Sequence, residues 1–372
     1  MPQIGIADLP LHPGSAPRWL FGRMVKLSQG IIEVLVEEFG TAEVLRRISD
    51  PFWFQAFSCV LGFDWHSSGT TTVTCGAVKE ALKKQELGLF VAGGKGRTSR
   101  RTPKEIESIA EKFDMAETTK ENLIYSSRMS AKVDSAAVQD QHSLYHHAFF
   151  FTTEGEWAVV QQGMNEERGY ARRYHWSSEH VRDFVIEPHD AILGNRVERA
   201  LDMTSNLSES CRKTSLDLMK DHPKKLSNLI KSLRHPNQRS LSHWTGEKEP
   251  MTVLSMPRNI NWETAKRAYD WQPRNYEELL SIKGVGPSTV RALALISELI
   301  YGEKACWEDP VKYTFTVGGK DGVPYPVDRK AMDQSTQILK RGIEEARLGR
   351  EERIDSLKRL RTFVPSAISD FS

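Results

Sequence analysis

The sequence predicts an α+β protein: a mixed α/β N-terminal half with a small antiparallel sheet, residues 1–190, followed by an all-helical C-terminal domain, residues 191–372. Three observations carry this reading. Phe149, Phe150 and Phe151 in 145–152, with Ala158, Val159 and Val160 in 157–163, form apolar, mostly β-prone runs joined by the turn Thr153-Glu154-Gly155-Glu156. From about Gly194 the apolar spacing becomes helical, over 195–220, 223–233, 261–270 and 329–363. Between the last two of these stretches, 275–301 reads as two helices joined by a tight glycine turn.

The elements follow in order. Residues 2–22, rich in Pro and Gly, form an opening loop in which Asp8 and His12 are polar candidates. Helical periodicity over 23–50 comes from Met24, Leu27, Ile31 and Leu35, then Val44, Leu45 and Ile48, around Gly40. Residues 51–65 are aromatic and apolar. The hydroxyl-rich stretch after Asp64 and His66 (Ser67, Ser68, Gly69, Thr70) leads into a helix ending near Gly88. The loop Gly93-Gly94-Lys95-Gly96 precedes a helix over 104–114 capped near Thr102. A third extended piece includes Tyr174, His175 and Trp176, and a polar segment over 236–257 divides the helical region.

Composition limits the function classes. The 372 residues are enough for two or three cores, and 39% hydrophobic content is ordinary for a soluble chain. The sequence has neither an apolar run long enough to span a bilayer nor a signal-peptide pattern at its N-terminus, so no membrane partner is expected. Cys59, Cys75, Cys211 and Cys306 are far apart, which gives no zinc ribbon or disulfide framework and suits a reducing cytoplasm. The net charge of +2 conceals basic blocks: eight Lys/Arg against Asp217 and Asp221 over 212–239, and five cations without an acid over 93–104. Such blocks suit a polyanion, and equally a solvated helix face.

The glycine turn is the most specific element. Asn275 is an N-cap with Glu277 and Glu278 in the first turn, and Leu279, Leu280 and Ile282 form an apolar face. Lys283-Gly284-Val285-Gly286 makes the turn, and Pro287 opens a second helix with Val290, Leu293, Ala294 and Ser297 facing its partner. This is the pattern of a helix-hairpin-helix, which grips nucleic-acid backbone through main-chain amides. DNA-binding residues are then Lys283, Gly284, Gly286, Ser288, Thr289 and Arg291, with Arg128, Lys95 and Arg97 from the basic N-terminal stretches.

Two constellations could carry chemistry. Lys132, Asp134, Asp140 and His142 cluster just ahead of the first strand, followed by His146 and His147. Asp134, Asp140 and His142 could hold magnesium or manganese while Lys132 orients water or phosphate, as in metal-assisted phosphodiester cleavage; structural roles fit the histidines as well. Downstream, Asp328 follows a Gly/Pro-rich loop and precedes a helix start at 329. It either caps that helix or contacts a nucleotide. Arg168, Arg172, Arg173, Tyr174 and Trp176 mix cations with aromatics on a sheet, which suits base stacking and equally an ordinary core with a basic rim.

The hairpin together with Val327-Asp328 resembles the helix-hairpin-helix DNA glycosylase superfamily. That resemblance implies a catalytic aspartate at Asp328, stabilising an oxocarbenium-like sugar or activating water after base extrusion. Lyase-type members carry a lysine nucleophile where this chain has Ser288, so a Schiff-base lyase is not implied. The separation of Gly286 from Asp328 also exceeds that family's usual spacing. The motifs around Ala7–His12, Asp64–Gly76, Ser127–Asp134, Val159–Met164 and Gly319–Arg329 resemble, over nearly the whole chain, the prokaryotic family labelled domain of unknown function 763. That likeness implies a cytoplasmic, often thermophilic setting and no particular activity. The expected function is therefore a DNA-binding repair or processing enzyme that cleaves phosphodiester bonds at damaged or branched sites. A monofunctional glycosylase using Asp328 and a non-catalytic, structure-selective DNA-binding protein are the alternatives.

Overall fold

Local signals in the chain set most helix boundaries. In the computed structural model, which describes residues 9–11, 16–62, 67–83, 85–233, 256–257, 260–311 and 329–363, helix α1 (Arg18–Ser49) buries Met24, Leu27, Ile31 and Leu35 along one stripe. Gly40, at φ +82°, kinks α1 before Val44, Leu45 and Ile48 resume the stripe. Asp50 then accepts from the Phe52 amide at 2.9 Å and starts α2 (Pro51–Leu61), whose aromatics are nearly all buried. Helix α3 (Ser68–Leu82) stops six residues short of the expected Gly88, because β1 (Leu89–Lys95) begins there. Helices α4 (Thr102–Lys112) and α5 (Glu117–Lys132) lead through one π-helical turn (Val133–Ala137) into the short β2 (Val138–Gln139).

Strands β3 (Ser143–Thr152), β4 (Trp157–Asn165), β5 (Tyr170–Ser177) and β6 (Ala191–Leu193) complete an antiparallel sheet in the order β1-β3-β4-β5-β6. Strand β7 (Leu201–Asp202) pairs separately with β2. Helices follow: α6 (Glu209–Lys220), α7 (Pro223–Leu233), α8 (Trp262–Trp271), α9 (Tyr276–Ser281), α10 (Pro287–Tyr301), α11 (Arg329–Glu345) and α12 (Arg350–Phe363). The described residues thus form a mixed α+β protein with twelve α-helices and a small antiparallel sheet.

The sheet is covered on both faces, which explains why its strands read as continuous apolar runs rather than alternating ones. Leu89, Val91, Ala148, Phe150, Ala158 and Val160 face α1, α2 and α3. Phe90, Phe149, Phe151, Val159, Tyr174 and Trp176 face α5, α6 and the α8–α10 helices. The second core therefore joins residues on either side of position 190, and β6 carries the sheet past it. The last two helices return to the first core, where Leu339, Ile343 and Leu360 meet α1 and α2.

Three elements differ from expectation, each for a local reason. Residues 93–95, expected as a glycine loop, finish β1; Gly93 (φ +88°) and Gly94 (φ +142°) adopt backbone that only glycine takes easily. Helix α5 shows no apolar stripe because its inward face carries Ser126, Ser127 and Ser130 beside Leu123 and Met129. The expected helix over 195–220 begins only at Glu209; Leu201 and Asp202 pair with β2 instead.

Gly93 tests this packing. A Cβ there would lie 2.2 Å from the His147 carbonyl oxygen and 2.4 Å from Thr102 Oγ1. Replacement by Ala combines strain at positive φ with overpacking and is expected to cost about 3 kcal/mol. A denaturant titration should show a lowered midpoint with an unchanged slope.

Candidate nucleic-acid interface

The α9–α10 turn has the dimensions its sequence demands. Asn275 Oδ1 accepts from the Glu278 amide at 2.8 Å and caps α9. Gly284 sits at φ +100°, and a Cβ there would meet Thr264 Oγ1 at 2.3 Å, so α8 leaves room for glycine alone. Gly286 is the extended N-cap residue of α10, with Pro287 as the first helical residue. The Val290 amide is the first to bond within the helix, to Gly286 O at 3.0 Å. The Ser288 and Thr289 amides precede it and meet no acceptor among the described residues. Lys283, Gly284 and Ser288 are exposed, whereas Thr289 is buried.

Side chains from distant elements clamp this turn. Lys132, at the end of α5, donates to Val285 O at 2.6 Å. Arg267 of α8 donates to Lys283 O at 2.6 Å. Gln139 donates to Pro287 O at 2.9 Å and accepts from Arg291 Nε at 2.8 Å. Lys132 and Arg291 are thus committed to holding the hairpin, and burial pushes both groups below their usual pKa ranges. Arg128, one turn before Lys132 on α5, is exposed.

The acid/imidazole cluster divides into two buried networks. The π-helical turn after α5 carries Asp134 inward, to His189 Nε2 at 2.5 Å, Gln161 Nε2 at 2.5 Å and Trp176 Nε1 at 3.1 Å. Gln161 also accepts from His147 Nδ1 at 2.7 Å, and His147 Nε2 meets Ser127 Oγ at 2.9 Å. Burial pushes the Asp134 carboxyl up, against the pull of His189 and Trp176. Asp140 instead accepts from Arg172 Nη1 at 2.8 Å and Tyr174 Oη at 2.7 Å, and from the His142 amide at 3.0 Å. Arg172 continues to Asp309 Oδ2 at 2.7 Å. Burial alone would raise the Asp140 carboxyl; Arg172, His142 and Tyr174 outweigh it and hold the group well below the carboxylate range.

Asp134 therefore lies in one network and Asp140, with His142, in the other. Among the described residues no group of three or more His, Cys, Asp or Glu side chains is arranged to hold a metal ion. Asp328, like Asp8, His12, Asp64 and His66, lies outside the described residues. Several partners were not singled out in the sequence: His189, Gln161, Asp309 and Arg267 act over long separations, with no local spacing to signal them. Arg172 and Arg173 carried a usable signal, since adjacent strand residues must face opposite cores.

Lys95 and Arg97 are exposed at the end of β1. Lys95 is in register with His146, and the next residue, His147, reaches Ser127 beside Arg128. The basic loop, the end of α5 and the hairpin turn consequently gather at one end of the sheet.

Fold and site together define an α+β protein whose sheet end presents a clamped, glycine-turned helical hairpin beside exposed Lys and Arg side chains. Residues 5–327 match the family described as Protein of unknown function (DUF763), and the chain belongs to that family. No curated protein and no solved structure matches the chain. No helix among the described residues is long and apolar enough to cross a membrane.

Asp140→Asn would remove the carboxylate that accepts from Arg172, Tyr174 and the His142 amide, and is expected to destabilise the fold by about 1.5–3 kcal/mol. Because the folded carboxyl lies below its ordinary 3.8, the stability it contributes is present above that pH and is lost as the pH falls toward the depressed value. Urea melts of the two proteins should therefore converge on acidification.

Proposed function

We propose that this protein binds DNA through the α9–α10 turn as a helix-hairpin-helix, within a repair or processing role. The observation that carries the reading is the exposed Lys283 and Gly284 of the turn and the acceptor-less Ser288 amide, held by the Lys132 bond to Val285 from the helix that also exposes Arg128. Amides at a helix start with a cationic rim suit a phosphate, and rigidity lowers the entropy lost on binding. The likeness of the hairpin to DNA glycosylases supports the same partner. Arg97, exposed just after β1, adds a further cation, whereas Lys95 turns with His146 to the other face of the sheet. Such contacts read backbone and carry no base sequence.

Among the forms of this reading, structure-selective binding draws the most support. The oxygens of Asp134 and Asp140 already accept hydrogen bonds from His189, Gln161, Trp176, Arg172, Tyr174 and the His142 amide. Those bonds would have to be exchanged before either carboxylate could serve a magnesium or manganese ion in strand cleavage. The glycosylase form rests on Asp328 and on family likeness alone.

The test is a panel of labelled duplex, branched, lesion-bearing and single-stranded DNAs, with and without magnesium or manganese. Binding should weaken steeply with salt, and Lys283→Glu and Arg128→Glu should each weaken it for all sequences alike. Each reversal should also lower the logarithmic salt slope by about one. Unchanged affinity in both variants would remove the hairpin from the interface. Metal-dependent cuts lost in Asp134→Asn or Asp140→Asn would instead establish the nuclease form, and base release lost in Asp328→Asn the glycosylase form.

A further inference from the structure

On the opposite face of the sheet from the hairpin, buried polar groups remain whose bonding the fold does not complete. His146 is 1% exposed, and neither ring nitrogen meets a partner among the described residues. Gln162, in register beside it on β4, is 0% exposed. Its amide nitrogen donates to Ser68 O at 2.9 Å, the first residue of α3, and to Tyr145 Oη at 2.5 Å. Those two bonds fix the amide orientation, because a carbonyl can only accept. They leave Gln162 Oε1 buried and also without a partner. Unsatisfied groups of this kind cost about 1–3 kcal/mol each, so two neighbouring side chains with the same deficit point to a ligand.

The surroundings specify that ligand's chemistry. Lys95, in register with His146 on the other side, lies 5.9 Å over the Tyr145 ring and is exposed. The start of α3, with its positive dipole end, adjoins Gln162. Ser67 precedes α3 without capping it by its side chain, and the Ser68 amide donates to Pro10 O at 3.1 Å. Glu105, bonded to the Gly93 amide of β1, is paired with Lys79. Burial, then His147, Lys95 and Lys79, push His146 down to about 3, so the ring is neutral and offers one donor and one acceptor. A ligand here must be anionic for Lys95 and the helix start, must accept from His146, and must itself donate to Gln162 Oε1. Hydrogen phosphate meets all three requirements. Sulfate, fully ionised at neutral pH, has no proton to donate.

We propose that the seam between the start of α3 and strands β1, β3 and β4, bounded by Lys95, Tyr145, His146 and Gln162, is a binding site for a protonated phosphate group. The group belongs to free phosphate, a nucleotide or a phosphorylated nucleic-acid end. The site is independent of the hairpin and stands whether or not the hairpin binds DNA.

The experiment titrates the full chain with inorganic phosphate and, at matched ionic strength, with sulfate, followed by calorimetry and thermal melting. Phosphate should bind saturably and sulfate at least tenfold more weakly. His146→Phe keeps the ring's bulk and removes its unpartnered nitrogens, so its melting point without phosphate should be unchanged or higher while the phosphate response disappears. Lys95→Gln, at an exposed position, should weaken phosphate severalfold and serves if the first variant does not fold. Equal binding of sulfate, no saturable phosphate binding, or a full response in His146→Phe overturns the proposal. Nucleoside monophosphates and 5′-phosphorylated oligonucleotides competing with phosphate identify its source, and competition by either supports the site. Lys283→Glu should leave the phosphate titration intact, which separates this site from the hairpin.

Discussion

Arg172, buried completely on β5, lies between Asp140 and Asp309, and the arrangement of the protein's second core follows from that contact. The guanidinium joins the corner after β2, the middle of the sheet, the Asn195 carbonyl and the segment that follows α10. Two carboxylates around one guanidinium leave an excess negative charge, which the Tyr174 hydroxyl and the amides of His142, Val197 and Val311 distribute. A buried ion group of this kind is weak evidence for stability and better evidence for uniqueness, since any misregister strands a charge. It places Gln139 where that side chain can hold both Pro287 and Arg291, and so orients the hairpin against the sheet.

The two polar networks behind the hairpin differ in what they can do. Asp140 is saturated by a permanent cation and by donors held in the backbone. Asp134 is hydrogen-bonded to His189, and a chain of hydrogen bonds runs from it through Gln161 and His147 to Ser127. The Asp134 chain ends at Ser127 on α5, the helix that carries Lys132, and the Asp140 network adjoins Gln139, which holds Pro287 and Arg291. The stiffness of the hairpin is therefore set by buried chemistry well away from its exposed amides, and a partner meets a turn that is already in shape.

Much of the architecture was legible in local sequence. The phenylalanine run gave β3 because burial on both faces removes alternation, and Asn275, Gly284 and Pro287 mark a cap, a positive φ and a helix start. Helix α5 escaped because serines on its inward face hide the apolar stripe, although Ser127 and Ser130 are buried by bonds to His147 and to their own helix. Residues 195–208 misled for the opposite reason: Val197, Ala200, Leu201 and Met203 carry helical spacing, yet tertiary pairing with β2 and the Arg172 group draws the chain out. At the candidate site, the sequence marks Lys132 as a candidate to orient water or phosphate and gives no sign of its bond to Val285 O, because that partner lies 153 residues away. His146 was visible only as one of two adjacent histidines; the register that sets it beside Gln162 and Lys95 belongs to the fold.

The return of the last two helices to the first core has a consequence for how the chain is made. Leu339, Ile343 and Leu360 cover the stripe of α1 and α2, which is synthesised before the sheet and the hairpin. More than half of the chain, with the whole sheet and the hairpin, must be synthesised while that stripe lacks its final cover. The apolar surface of helices α1 and α2 therefore closes only when residue 360 has been added.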